Sequence, residues 1–171
     1  MKPTTKLILC TTMGILSFLG LVQAEDRLSV GDAAPALTVT TEENQPLDLG
    51  QVYGKGYTLV YFYPKADTPG CTKQACSLRD AYAELQDKGV TILGVSTDKP
   101  ATQKKFKEKF KLPFTLVADT DGKLLKAFGV PSFSGFAARQ AFLIKDGKIV
   151  WLDFTASTGK QADDVLAFLN S

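Results

Sequence analysis

The chain has 171 residues, with 20 Lys plus Arg, 18 Asp plus Glu, three Cys and no histidine. The missing histidine excludes Ser-His-Asp hydrolysis, Cys-His proteolysis and every histidine-ligated zinc, copper or haem site, because the required base or ligand is absent. The length suits one domain that buries roughly 70% of the surface its unfolded chain would expose, and 44% hydrophobic with 22% charged residues is the composition of a globule.

Residues 1–24 stand apart. Lys2 and Lys6 precede a run from Leu7 to Val22 that is apolar except for Thr, Ser and Gly, and Val22-Gln23-Ala24 ends it with the residues a signal peptidase reads. That order predicts a secretory signal cleaved after Ala24, leaving 25–171 as the folded domain in the periplasm or an equivalent extracytoplasmic compartment. The rival readings are an uncleaved anchor and a lipoprotein. The run is shorter than the about 20 residues a membrane span takes, and Cys10 sits early in it behind bulky Leu9. Lys2 and Lys6 account for the whole formal charge of +2. The remainder is neutral, so neither nucleic acid nor an anionic membrane is expected as a partner. No cofactor or metal is expected, and a monomer is.

Along the remaining chain, Leu37–Thr40 alternates as a strand and Asn44-Gln45-Pro46 is a turn. Tyr57–Tyr63 (YTLVYFY) is a continuous β-branched and aromatic run, the mark of a strand buried on both faces, and Val90–Ser96 and Phe114–Ala118 read alike. Helical patterns lie between them: Cys71–Lys88, Ala101–Phe110 behind Pro100, and Lys123–Phe128. Strands Gln140–Lys145 and Lys148–Phe154 flank the Asp146-Gly147 turn, and an amphipathic helix follows over Lys160–Leu169. A βαβ unit joined to a ββα unit predicts an α/β protein of thioredoxin-like fold, with a mixed central sheet flanked by helices. Lys104, Lys105, Lys107, Lys109 and Lys111 surround Phe106 and Phe110, which predicts a helix that buries two rings and turns its lysines to water.

Cys71 follows a buried strand and the loop Pro64-Lys65-Ala66-Asp67-Thr68-Pro69-Gly70, at the start of a helix. Unpaired N–H groups and the positive end of the helix dipole converge there and favour a thiolate. A cation nearby would add to this. Of the three arginines, Arg27 is at the start of the domain and Arg79 is about 12 Å along the same helix by rise alone, which leaves Arg139 as the candidate; its alternative is an ordinary surface loop residue. At about 100° per residue, Ala75, Leu78, Tyr82 and Leu85 share the face of Cys71 within about 40°, while Cys76 falls about 140° away on the polar face. Residues five apart on a helix have Cα atoms roughly 8 to 9 Å apart, and a disulfide rarely tolerates more than about 7 Å. A Cys71–Cys76 bond and an intact helix therefore exclude each other. A transient bond is the expectation, and a permanent structural one the alternative.

The segment YFYPKADTPGCTKQACSLRD resembles the active-site segment of the peroxiredoxins, of the Q type also called bacterioferritin comigratory protein, especially its plant and cyanobacterial members. GDAAP at 31–35, LPFTLVAD at 112–119, FGVP at 128–131 and ARQAFLI at 138–144 extend the likeness over essentially the whole domain. The resemblance implies a thiol peroxidase acting on hydrogen peroxide and organic hydroperoxides. It makes Cys71 the peroxidatic cysteine, with Thr68 bonding the peroxide, Pro64 shielding the sulfenate and Arg139 stabilising the developing charge. It makes Cys76 the resolving cysteine and a thioredoxin-like protein the reductant; with the export signal, a thioredoxin-like or other exported thiol reductant is the expected partner. Ala66 stands where an acid is common and Ala141 where a hydroxyl is frequent.

Two other functions compete. An exported thiol:disulfide oxidoreductase of the same fold would be expected to carry C-x-x-C, which is absent; a binding domain with a structural disulfide would need no activated thiol. Phe133 and Phe136, in the loop before Arg139, read either as an apolar collar favouring organic peroxides or as core aromatics.

Overall fold

The computed structural model describes residues 27–171, so the signal-like segment 1–24 and Cys10 lie outside the described residues. The elements are β1 (Thr38–Thr40), β2 (Pro46–Asp48), α1 (Leu49–Tyr53), β3 (Tyr57–Phe62), α2 (Pro69–Asp80), α3 (Tyr82–Asp87), β4 (Val90–Ser96), α4 (Pro100–Phe110), β5 (Thr115–Ala118), α5 (Lys123–Ala127), β6 (Ser132–Phe133), β7 (Phe136–Ala137), β8 (Gln140–Lys145), β9 (Lys148–Asp153) and α6 (Gln161–Leu169).

The central sheet has the order β5-β4-β3-β8-β9. β3 lies in its middle, parallel to β4 and antiparallel to β8. This explains the unbroken apolar run of β3, because a central strand covered on both faces has no polar side. Asp146 and Gly147 both take positive φ, 50° and 74°, as a two-residue hairpin turn requires. Alternation along the strands sends Leu59, Tyr61 and Tyr63 into one core with residues of α2, α3, α4 and α6. Val60 and Phe62 enter the other core, with α1 and α5. The mixed sheet flanked by helices is the fold class expected from the order of elements.

Several local features depart from the expectation. The helical pattern over 71–88 is two helices, broken at Ala81, whose ψ of 9° is far from helical. The break lets Tyr82 tilt onto Phe114 while Leu85 still returns to the core. β1 falls within the strand expected at Leu37–Thr40, whereas β2, α1 and the small β6–β7 hairpin carry too few residues for periodicity to reveal. The lysines of α4 do not simply face water. Lys104 and Lys107 pair with Glu43 and Glu42, and Lys109 pairs with Asp67. Glu42 is itself buried and accepts from Leu116 N, so part of that lysine face is a tie to the β1–β2 turn. Phe133 is 85% exposed and Phe136 44%, so the reading of these two as core aromatics is wrong.

Candidate active site

β3 delivers the chain into the loop Pro64–Thr68, and α2 begins at Pro69 with Thr68 as its N-cap. Proline suits the first helical position because its missing N–H would have had no partner there. Thr68 does not cap the helix with its side chain; its hydroxyl donates to Lys65 O at 3.0 Å. The first N–H to enter the helical ladder at this end is that of Thr72, on Thr68 O at 2.8 Å. Gly70 and Cys71 thus keep the N–H groups of the first turn directed out of the helix end.

Cys71 is 2% exposed and belongs to the core under α2. Arg139, the residue just before β8, reaches across 68 residues of sequence to place Nη2 at 3.4 Å from Cys71 Sγ. The guanidinium passes beside Gly70, where a Cβ would lie 3.4 Å from Arg139 Nη2. The other two arginines are engaged elsewhere, Arg27 over the Phe154 ring and Arg79 on Asp80 and Phe110 O. Cys76 sits on α2 past Cys71 and is partly exposed, and both thiols are free. Pro64 stands half-buried at the head of the loop, and Thr68 at its end.

Side chains that sequence reasoning passed over hold this arrangement. Arg139 Nη1 donates to Gln74 Oε1, and Gln74 Nε2 donates to Gln161 Oε1 at 2.7 Å. The loop is held from β4: Asp98 Oδ2 accepts from Ala66 N at 2.7 Å and from Ser96 Oγ at 2.8 Å. Gln103 then links Ser96 Oγ and Val117 O, and accepts from the Tyr63 hydroxyl. Exposed Lys109 closes the outside of the loop on Asp67, which takes a positive φ of 59°. Gln74 could have been noticed as a polar residue three places from Cys71, on adjoining helix surface. Nothing local marks Asp98 or Gln161.

Tyr61 and Tyr63 lie in the same core as Cys71. Burial, with the neighbouring Tyr63 and Cys71 adding to it, holds the Tyr61 phenol well above the usual tyrosine range. Burial does the same to Tyr63 against the opposing hydrogen bonds of Ser96 and Gln103. Both phenols stay protonated and neither is a base. With no histidine in the chain, the donors that face Cys71 are those of the helix start and Arg139. A groove of about 950 Å³ bordered by Thr97, Lys126, Pro131 and Gly135 does not include Cys71. The thiol therefore lies apart from that groove.

Residues 30–152 match the model of the AhpC/TSA family. The chloroplastic peroxiredoxin Q of Suaeda salsa is 38% identical over 149 residues, which is 85% of this chain and 69% of that protein. Among solved structures, peroxidoxin BcpB from Mycobacterium tuberculosis is similar with a TM-score of 0.80 and 31% identity, over 84% of this chain and 97% of that one. The bacterioferritin comigratory protein of Xanthomonas campestris, described by its alkyl peroxide reduction activity, gives a TM-score of 0.74 and 28% identity, over 81% and 98%. These relatives are peroxiredoxins and not disulfide oxidoreductases, which decides between the two enzymatic readings of the fold. The chain belongs to the AhpC/TSA family, as a peroxiredoxin of the Q type, and is a thiol-dependent peroxidase.

Proposed function

We propose that Cys71 is the thiol that reduces the peroxide and Cys76 the thiol that resolves it, and the observation that carries this reading is the Arg139 guanidinium at 3.4 Å from a buried Cys71 Sγ in the first turn of α2. The Cys71 thiolate attacks one peroxide oxygen. An S–O bond forms as the O–O bond breaks, sulfur is oxidised to sulfenic acid, and the leaving oxygen takes a proton to depart as water or an alcohol. Arg139 and the N–H groups of the helix start face the charge that spreads over the two oxygens. Because the Thr68 proton is committed to Lys65 O, its lone pairs are the part left to accept the peroxide O–H. Pro64, at the head of the loop, shields the sulfenate from further oxidation.

Cys76 then attacks Cys71 Sγ, expelling water and forming the disulfide. The intact helix holds the two Cα atoms roughly 8 to 9 Å apart, so the first turns of α2 unravel in this step. A thioredoxin-type dithiol returns both cysteines to thiols. The bond forms within one chain, so a monomer suffices. The substrates are hydrogen peroxide and organic hydroperoxides, in keeping with the alkyl peroxide reduction of the Xanthomonas relative. Lys2, Lys6, the run Leu7–Val22 and Val22-Gln23-Ala24 support export and cleavage after Ala24, and with it a reductant that is itself exported. The mass of the protein recovered from an extracytoplasmic fraction tests the cleavage.

Rapid mixing of the reduced protein with hydrogen peroxide, quenched and read by mass spectrometry, tests the chemistry. The sulfenate forms on Cys71 first, and the rate falls in Thr68→Val and in Arg139→Ala. In Cys76→Ser, Cys71 accumulates sulfinic acid or an intermolecular disulfide over repeated turnover. A rate typical of an unactivated thiol, unchanged by either substitution at Thr68 or Arg139, would overturn the reading.

A further inference from the structure

If Cys71 reduces the peroxide, its guanidinium partner has to keep one orientation, and the structure shows what keeps it. Arg139 directs Nη2 at Cys71 Sγ and Nη1 at Gln74 Oε1. A guanidinium has donors only, so Gln74 must present the oxygen of its amide and not the nitrogen. Half a turn about its last bond would present the wrong end. The opposite end of the same amide is fixed by Gln161, whose Oε1 accepts from Gln74 Nε2 at 2.7 Å. A flipped Gln74 would set oxygen against oxygen at Gln161 and N–H against N–H at Arg139. Both glutamines are fully buried, so water does not stand in for either bond.

Gln161 has no other employment for its side chain. Among the described residues its Nε2 is buried without a partner, and its bond to Gln74 is the one hydrogen bond that side chain makes. A buried amide with half its capacity unmet stabilises a core less than an apolar side chain of the same size would. Its presence therefore points to the bond it does make.

The same residues form a seam. A Cβ on Gly70 would lie 3.5 Å from Thr158 Cγ2, and a Cβ on Gly159 would lie 2.7 Å from Lys73 Cε. Residues 158–161 thus run beside residues 70–74, and Gln74–Gln161 is the polar clasp at the end of that run. These are the turns of α2 that have to unravel before Cys76 can reach Cys71.

We propose that Gln161 is a positioning residue: its amide oxygen fixes the Gln74 amide, through it orients the Arg139 guanidinium on Cys71, and latches the start of α2 to the start of α6 until Cys71 is oxidised. This rests on the assignment of Cys71 as the peroxide-reducing thiol. Breaking the clasp should slow oxidation of Cys71, because the guanidinium is no longer held, and hasten disulfide formation, because the helix start is released.

The test follows the two phases in the reduced full-length protein with hydrogen peroxide, reading sulfenate formation and then disulfide formation. Gln161→Met keeps the volume and removes the acceptor; Gln161→Glu keeps an acceptor oxygen whether or not it is protonated. Gln161→Met should lower the first rate constant by about ten-fold, the loss expected for a charge-assisted network, and raise the second by about five-fold. Gln161→Glu should stay within about three-fold of the parent in both. In an Arg139→Lys background, Gln161→Met should cause no further loss in the first phase, since no fork remains to be oriented. If Gln161→Met does not fold, Gln161→Asn, too short to reach Gln74, replaces it with the same expectations. The proposal is overturned if Gln161→Met oxidises as fast as the parent, if it and Gln161→Glu slow alike, or if it slows the Arg139→Lys chain by the same factor as the parent. Full peroxidase activity in Cys71→Ser would overturn instead the assignment of Cys71 on which the proposal stands.

Discussion

Under α1 and α5 the sheet is closed by rings and aliphatic chains: Phe62, Phe128 and Phe142 meet one another at centroid distances of 5.0 to 5.9 Å, within a cluster of buried apolar side chains. Under α2, α4 and α6 the same sheet buries tyrosines, glutamines and a serine that bond to each other, from Tyr63 through Gln103 to Ser96 and from Arg139 through Gln74 to Gln161. Apolar contact is strong but has no direction. Hydrogen bonds contribute only about 1 kcal/mol each, yet they fix angles. Both faces bury apolar clusters that supply stability. The second holds the guanidinium, the loop and the helix start in one arrangement, and it leaves Tyr61 OH and Gln161 Nε2 buried with no partner.

The largest expected effect separates chemistry from stability. Cys71→Ser should reduce peroxide turnover to the buffer background while leaving the midpoint of urea unfolding close to that of the parent. A large drop in the midpoint would mean that the thiol carries a major share of the packing of that core as well as the chemistry. The complementary change on the other face is Phe142→Ala, which should lower unfolding free energy by about 3 to 5 kcal/mol. Its folded fraction should oxidise at Cys71 within about two-fold of the parent rate. A collapse of that rate in folded protein would show that the two faces are coupled.

Gly94 tests how tightly the reactive face is packed. A Cβ there would lie 2.6 Å from Tyr61 OH and 2.8 Å from Leu116 Cδ2, so Gly94→Ala should cost about 1 to 3 kcal/mol. Tyr61→Phe removes the hydroxyl, which is the nearest atom and has no partner, but keeps Cζ at 2.7 Å, and by itself should be neutral or stabilising by about 1 kcal/mol. In the double variant the loss should be smaller than in Gly94→Ala alone, by denaturant titration; strict additivity would place the collision elsewhere. The smallest effect belongs to the outer tie of the loop. Lys109 and Asp67 are both about half exposed, so Lys109→Ala should change stability by less than about 0.5 kcal/mol. Salt should shrink that difference further. A larger loss would mean that the loop depends on its surface ion pair and not on Asp98.

Much of the scaffold was legible because its signals are local. The central strands were found nearly to the residue, since a strand buried on both faces is a short unbroken apolar run. The Asp146-Gly147 hairpin and the helix behind Pro100 were marked by residues whose backbone preferences leave few alternatives. The helix over 71–88 was misread as continuous because apolar spacing survives a small turn of the axis, and only the packing of Tyr82 on Phe114 calls for that turn. Phe133 and Phe136 were ambiguous because hydrophobicity predicts a preference for burial and not the availability of a place in the core. The lysine face was underread because Glu42, Glu43 and Asp67, its partners, lie far away in sequence.

By itself the sequence determined that no imidazole could take part and that Cys71 would sit in the first turn of a helix behind a buried strand, and it left Arg139 as the candidate among its arginines to approach it. These follow from composition, periodicity and helical rise, which depend on near neighbours. The tertiary structure alone decided that Arg139 would reach Cys71, that Asp98 would hold the loop at Ala66 and that Gln161 would accept from the amide of Gln74, 87 residues away. Such bonds depend on angle and burial between elements distant in sequence. Their donors and acceptors look alike in any polar residue until the fold brings one particular pair together.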